Sequence, residues 1–344
     1  MKPDHNLLSY LAWFFGTVLA LLFSAIALSL FFKPLEGDLT RIGHWAERDF
    51  APTRSQSAVL IRANGSFDKT PRVLVLGDSF SHPNIWQSHL AESGGFETLS
   101  FQFKDVGCID NWLNWVIEQK ASSSPTVIIQ VAERSFVPIF RNDRTCMRST
   151  PLAETVTANT AKAKGLMSGL TLDAAYLFLT LANTLRMRWH NGRISSGEVI
   201  NVPLSQSTLF SNSKSGRLLY YAEDDNKKMW SQKDIQMAMS NLKRIQNRLA
   251  EKNLHLLVAL VPDKSTVYRP YMLAEADKTG YPDISSALVN AGINSADLLG
   301  LFHEKVAGNA DLYLPNDTHL GGTGYRLMAS AIHEQLKRAD KITQ

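Results

Sequence analysis

Residues 72–80 read RVLVLGDSF, and this short stretch decides the fold that we expect. The run from Val73 to Leu76 is wholly apolar, which is typical of a strand buried on both faces of a parallel sheet. A Gly-Asp-Ser turn that ends in Ser79 follows at once. In open parallel sheets the ligand crevice lies at the carboxyl ends of the strands. The stretch therefore predicts a first strand that presents Ser79 at that edge.

The rest of the chain alternates strand and helix patterns. Apolar runs at 96–103, 126–133 and 254–262 predict three more strands, while 111–120 and 324–340 have the spacing of helices with one apolar face. This alternation favours an α/β fold with a mostly parallel sheet.

A long stretch at residues 135–228 interrupts the alternation, and we expect it to be an insertion packed on the α/β core. Its strongest helix pattern, LTLDAAYLFLTLANTLRMRW at 170–189, contains polar residues such as Asp173 and Asn183. These favour an amphipathic or core helix over a second membrane span.

The N-terminus contains an apolar segment, Leu11–Phe32, which carries no charge and is long enough to cross a bilayer as a helix. We expect an uncleaved anchor with residues 1–10 in the cytoplasm, although SAIA at 24–27 leaves a cleaved signal peptide open. Residues 33–70 look like a stalk, and 71–344 would form the catalytic domain outside the cytoplasm.

Composition excludes some classes of function. A net charge of +4 over 344 residues, without a long basic run, does not indicate nucleic-acid binding. Neither CxxC nor HExxH occurs, so no metal site is expected. Cys108 and Cys146 fit an exported domain, either as one disulfide or as two separate thiols.

Near the C-terminus, PNDTHLGGTGY (residues 315–325) places Asp317 two positions before His319. A serine hydroxyl needs a base to act as a nucleophile, and an aspartate can orient that base. Alone, an Asp-x-His pair is more often a surface turn. Together with Ser79 it predicts a Ser-His-Asp triad for acyl transfer.

Several of these blocks carry a family resemblance. VLVLGDSF resembles the serine block of the SGNH (GDSL-type) hydrolase superfamily, in which an Asp-His block lies near the C-terminus. LVPDKSTVYRPYML (260–273), AGINSADLLGLF (291–302) and DLYLPNDTHLGGTGY (311–325) resemble the alginate O-acetyltransferase group of that superfamily. The resemblance spans about 71–134 and 254–335 and implies a three-layer SGNH-like α/β fold.

The resemblance implies an O-acetyltransferase that modifies a secreted polysaccharide from the periplasmic side of a bacterial inner membrane. It needs no cofactor, because a membrane-bound O-acyltransferase partner supplies the acetyl group. Ser79 would be the nucleophile, His319 the base and Asp317 its orienting partner. Two departures stand out: the serine block comes first here, and Leu320 replaces the tryptophan usual after the histidine, where we expect acceptor specificity to diverge.

The SGNH Gly-x-Asn-Asp block is also missing, since the third strand ends in VAERSF. We therefore expect the backbone N–H of Gly107 to complete the oxyanion hole, with Arg134 as a second candidate or as the partner of Glu133 in an ion pair. Lys264 and Tyr268 follow the fourth strand and either line the site or form a capped turn.

The sequence leaves two other functions open. The same triad serves an esterase that removes acyl groups when water replaces the sugar. The same fold also serves a glycan-binding scaffold without catalysis.

Overall fold

The computed structural model describes residues 5–30, 36–57, 59–61, 73–120, 126–141 and 174–343. Cys146 lies outside them, whereas Cys108 is described and is disulfide-bonded. The strands are β1 (Val73–Gly77), β2 (Thr98–Gln102), β3 (Thr126–Ala132), β4 (Ile194–Ser196), β5 (Val199–Pro203), β6 (Arg217–Tyr221) and β7 (His255–Val261).

The central sheet is parallel and has the strand order β2-β1-β3-β7. Its four strands are those expected from the apolar runs, so this part of the prediction is confirmed. The register pairs Val73 with Thr98 on one side and with Thr126 on the other. As a result the carboxyl ends of β1 and β3, with Gly77 and Ala132, lie along one edge of the sheet.

Helices cover both faces of this sheet. The α-helices of the described chain are α1 (His5–Leu30), α2 (Asp38–Ile42), α3 (Glu47–Phe50), α4 (Ile85–Gly94), α5 (Phe103–Val106), α6 (Ile109–Lys120), α7 (Glu133–Phe140), α8 (Ala174–Trp189), α9 (Gln232–Ala250), α10 (Lys264–Tyr268), α11 (Ile284–Asn290), α12 (Leu298–Lys305) and α13 (Gly322–Thr343). Short 3₁₀ segments at Ala222–Met229, Arg269–Tyr271, Glu275–Asp277 and Val306–Gly308 complete the described elements.

The alternation of side chains along β1 divides the interior into two cores. Val73 and Val75 face a core that contains Trp86 of α4 and Met328 of α13. Leu74 and Leu76 face the opposite core, which contains apolar side chains of α6 and α9. Successive side chains of a strand point to opposite faces, so both faces of β1 need apolar residues. The expected three-layer α/β arrangement is therefore confirmed.

The predicted stalk is wrong for its described N-terminal part. Leu39, Trp45 and Phe50 are buried in a third cluster with side chains of the insertion, among them Val199 and Leu219. Large apolar side chains at these positions stabilise a packed segment, because leaving them in water would cost free energy. Residues 36–50 are thus part of the folded domain.

The described part of the insertion differs from the helical expectation in one respect. It contains α8, as the apolar pattern suggested, but also a separate antiparallel sheet in the order β4-β5-β6. Strands of only three to five residues leave a weak periodic signal in the sequence.

The N-terminal helix α1 contains a stretch, Asn6–Ile26, that is long and apolar enough to cross a membrane, and no part of it is buried inside the protein. A membrane anchor and a signal sequence both fit this observation.

Candidate active site

The nucleophile turn is built at the carboxyl end of β1. A Cβ at Gly77 would lie 2.5 Å from Ser81 Oγ and 2.9 Å from Gln130 Oε1, so only glycine allows the turn to pack this closely. Asp78 ties the turn to β3: its Oδ2 accepts the Ala132 N–H at 2.6 Å and its Oδ1 accepts from Gln130 Nε2 at 2.9 Å. The turn leaves Ser79 exposed at the sheet edge.

The structure brings together the three residues predicted as a triad. Ser79 Oγ lies 3.0 Å from His319 Nε2, although 240 positions separate them in the chain. On the other side of the ring, His319 Nδ1 lies 2.7 Å from Asp317 Oδ1. When Nδ1–H donates to the carboxylate, Nε2 carries a lone pair toward the serine hydroxyl. This is the arrangement in which an imidazole can remove the serine proton.

Electrostatics support the same proton relay. Burial alone lowers the pKa of His319, but the hydrogen bond and charge of Asp317, together with the charge of Asp38, outweigh burial and hold that pKa above its ordinary value. Burial raises the pKa of Asp317, yet the hydrogen bonds and charge of His319 outweigh it and leave that pKa below its ordinary value. The aspartate therefore stays ionised and stabilises the imidazolium.

Lys264 holds the loop that carries the aspartate and the histidine. Its buried Nζ donates to the carbonyl oxygens of Leu314, Pro315 and Asp317 at 2.7, 3.0 and 3.1 Å. Burial lowers the pKa of Lys264 to about 7. Lys264 is buried and its ammonium group is taken up by these three carbonyls, so it fixes the loop from inside the protein instead of being exposed to a substrate.

The N-terminal segment holds the same loop from the other side. The backbone N–H groups of Leu39 and Thr40 both donate to the Asn316 carbonyl, at 3.0 and 3.4 Å. The Asn316 side chain donates to the buried carboxylate of Glu47. Burial raises the pKa of Glu47, partly offset by the hydrogen bonds from Thr40 and Asn316. Sequence reasoning missed this brace, because nothing in residues 36–50 marks them as neighbours of the C-terminal loop.

Asp38 adds a second carboxylate beside the histidine. Its Oδ2 lies 3.6 Å from His319 Nδ1 and 3.4 Å from Thr318 Oγ1. Donor atoms of Asp38, Asp317 and His319 lie within 4.8 Å of one another, which is close enough to hold a cation. The hydrogen bond between His319 Nδ1 and Asp317 Oδ1 already occupies two of these atoms, so we assign the cluster to the proton relay.

The Arg134 side chain forms ion pairs with two buried aspartates, and its role as an oxyanion donor stays a prediction. Its guanidinium donates to Asp263 at 2.9 Å and lies 3.6 Å from Asp224. The alternative pair with Glu133 is also absent among the described residues, since Glu133 accepts from the buried Lys227 at 2.8 Å. Burial lowers the pKa of Arg134, but the two aspartates reverse this and raise it above its ordinary value.

Of the other residues predicted at the site, two are buried in the core and one is exposed. Tyr268 is fully buried, and its hydroxyl accepts the Tyr313 N–H, so it belongs to the core and not to the site. Leu320 is also buried in that core and cannot set acceptor specificity by direct contact. Gly107 lies exposed after α5 with φ of 71°, and within the described chain it makes no hydrogen bond to the triad. Its oxyanion role stays a prediction.

The Ser79 N–H is the oxyanion donor that the geometry favours. No acceptor takes it among the described residues, whereas the neighbouring Phe80 N–H is held by Asp78 Oδ1 at 3.0 Å. A backbone N–H next to a nucleophilic oxygen can stabilise the charge that develops on a tetrahedral carbon.

Comparison with known proteins agrees with the resemblance read from the sequence. Residues 217–344 match the family described as SGNH hydrolase-like domain, acetyltransferase AlgX. The match includes the loop with Asp317 and His319 and the Lys264 segment, but it begins at residue 217 and so does not include the serine turn. No curated protein and no solved structure matches the chain.

Proposed function

We propose that this chain is an extracytoplasmic O-acetyltransferase that acetylates hydroxyl groups of a secreted or cell-surface polysaccharide. The observation that carries the proposal is the line of contacts Ser79 Oγ to His319 Nε2 to Asp317 Oδ1, at 3.0 and 2.7 Å. The match of residues 217–344 to an acetyltransferase family supports acyl transfer as the reaction class.

In the first half of the reaction, Ser79 Oγ attacks the acetyl carbonyl carbon while His319 Nε2 takes the hydroxyl proton. The Ser79 N–H stabilises the oxyanion of the tetrahedral intermediate. The intermediate then expels the leaving group of the donor, which receives the proton from His319. The products are acetyl-Ser79 and the protonated leaving group.

In the second half, a sugar hydroxyl attacks the acetyl-serine ester and His319 takes its proton. Collapse of the second tetrahedral intermediate releases the sugar acetate and returns the proton to Ser79 Oγ. Asp317 stays ionised throughout and balances the charge on the imidazolium in both halves.

We further propose that the acetyl donor reaches Ser79 from a membrane-bound O-acyltransferase partner, and that the chain needs no cofactor. The apolar helix α1 supports placement at the bacterial inner membrane, with the folded domain in the periplasm. In that compartment the donor must come across or out of the membrane.

Hydrolysis is the second candidate function, and one observation favours it. Ser79 is exposed, so water can reach an acetyl-serine ester as readily as a sugar can. Transfer to a sugar requires that the bound acceptor excludes this water.

The deciding experiment uses the purified full chain in detergent with p-nitrophenyl acetate, with and without neutral or uronic-acid oligosaccharides. We expect an acetylated peptide that contains Ser79, and acetylated oligosaccharide when the right acceptor is present. Acetate release with no acetylated sugar for any acceptor would establish an esterase. Matched variants are Ser79→Ala, which should abolish both products, and Ser93→Ala, which removes an exposed serine of α4 and should abolish neither.

A further inference from the structure

Helix α8 (Ala174–Trp189) exposes its large apolar side chains to solvent. Phe178, Leu181, Leu185 and Trp189 are 80%, 60%, 46% and 86% exposed. Their spacing of three and four residues places them in one stripe along the helix. A soluble helix normally turns such a stripe toward the core, so this outward stripe requires another explanation.

Polar contacts fix this orientation. The buried Asn183 donates from Nδ2 to the carbonyls of Gly43 and His44 at 3.1 and 3.0 Å, and also to Ser196 Oγ. About two helical turns away, the Tyr176 hydroxyl donates to the Trp45 carbonyl at 2.9 Å. Rotating α8 to bury its apolar stripe would break these bonds and leave buried polar groups unsatisfied. The outward stripe is therefore a built feature of the fold.

Helix α8 packs against the segment that follows the apolar helix α1 in the chain. Thr40 comes ten positions after Leu30, the last residue of α1, and its carbonyl oxygen lies 3.3 Å from the Tyr176 hydroxyl. Ten extended residues span at most about 33–36 Å. If α1 crosses the bilayer, α8 cannot lie farther than this from the point where the chain leaves it.

The charges of α8 suit a bilayer surface. Arg186 and Arg188 are exposed in its last turn beside Trp189, and the helix contains no acidic residue. Tryptophan is enriched at the membrane–water interface, and arginine is attracted to anionic headgroups.

We propose that α8 lies flat in the surface of the bilayer, with its apolar stripe among the acyl chains and its arginines on anionic headgroups. Residues 38–45 then contact both the membrane-docked helix α8 and the loop of the triad, and they follow the anchor α1 in the chain. Docking would hold the site close to the membrane face. This inference concerns lipid binding and holds whether or not acetyl transfer is the reaction.

The test places a fluorescent label on the stripe of the full-length chain in lipid vesicles. Leu181→Cys is labelled with bimane and reconstituted into phosphatidylcholine vesicles with or without phosphatidylglycerol. Brominated lipid tails quench a fluorophore that lies among acyl chains, and iodide quenches one that faces water. The control is Val289→Cys on α11, another exposed apolar residue, and the parent chain taken through the same labelling serves as a blank.

We expect brominated lipid to quench the label at 181 at least about twofold more than the label at 289, as an interfacial helix requires. Anionic lipid should strengthen this difference, and Arg186→Glu with Arg188→Glu should remove that strengthening. Equal lipid quenching at the two positions would overturn the proposal. So would protection at 181 from both lipid and iodide, because a protein surface, such as a second copy or another part of this chain, would then cover the stripe.

Discussion

The backbone N–H of Asp38 donates to Oδ2 of Asp317 at 3.3 Å, across 279 positions of the chain. The other oxygen of the same carboxylate accepts from the ring of His319 at 2.7 Å. The backbone of Asp38 thus orients the carboxylate of Asp317, and this carboxylate orients the ring of His319. Lys264 completes the support from the opposite side, so the loop of the triad is held between two parts of the chain that are distant in sequence.

Close packing of the N-terminal segment on this loop can be tested at Gly37. A Cβ there would overlap the carbonyl of Asn316, and the φ of Gly37 is ordinary, so space alone requires glycine. We expect Gly37→Ala to displace Asp317 and lower kcat for acetyl ester hydrolysis by at least about tenfold. Gly216→Ala, where a Cβ meets nothing within 4 Å, is the matched control. Equal kcat in the two variants would show that the contact does not position the loop.

The fall of kcat/KM at low pH should depend on the charge of Asp38. Because the pKa of His319 lies above its ordinary 6.5, the base is protonated at low pH, and kcat/KM should rise with pH through that higher value. Asp38→Asn keeps the backbone N–H bond but removes the negative charge, so this fall should move to lower pH. Asp49→Asn changes a carboxylate of the same segment that makes no hydrogen bond to the triad, and should leave the fall in place.

The raised pKa of His319 also makes the stability of the fold depend on pH. The protonated form of His319 is favoured by the fold, so its contribution to the free energy of unfolding is present below pH 6.5 and is lost as pH rises through the folded-state pKa. Activity should rise over the same pH range in which this stabilisation is lost, because only the neutral imidazole can act as the base. Chemical denaturation of Asp38→Asn at several pH values should show a smaller loss across this range than the parent chain.

Asp317 should matter for the reaction far more than for folding. Asp317→Asn preserves size but no longer holds the Nδ1–H tautomer, and we expect kcat to fall by roughly 10³–10⁴-fold. Asp283→Asn makes the same chemical change at the N-cap of α11, where the side chain accepts from Ser286 N–H. The control should lower the melting temperature slightly and leave kcat unchanged. A similar kcat for the two variants would argue against the relay.

Lys264 is expected to act through the loop. Lys264→Met leaves the carbonyls of Leu314, Pro315 and Asp317 without this donor, and each buried acceptor left unsatisfied costs about 1–3 kcal/mol. The melting temperature and kcat should fall together, since the loop loses its shape. Lys305→Met removes an exposed lysine and is the control. An unchanged kcat in Lys264→Met would mean that the N-terminal segment alone holds the loop.

Local patterns were sufficient to predict the central sheet. Runs such as Val73–Leu76 and Leu256–Val261 are apolar without interruption, and both became buried strands of the central sheet. The three residues of the triad were also predicted, because their types and order suit one reaction. Their contact could not be derived, since it depends on where the last loop lies relative to the first strand.

Predictions based on nearness to a strand end were less successful. Arg134, Lys264 and Tyr268 all follow strands, yet ion pairs, loop carbonyls and the core take up their side chains. The glycines after His319 serve close packing, because a Cβ at Gly321 or Gly324 would overlap a backbone carbonyl of residue 311 or 312.

By itself, the sequence determined the α/β class, the apolar N-terminal helix and the candidate residues Ser79, Asp317 and His319, because each depends on residue types and short-range periodicity. Only the tertiary structure decided that residues 36–50 brace the catalytic loop and that α8 turns its apolar stripe outward. Both features depend on hydrogen bonds between segments more than a hundred positions apart, such as Asn183 to Gly43 and Asp38 to Asp317. No local pattern encodes such a pairing, because each bond joins an ordinary polar side chain to a backbone group that nearly any residue has.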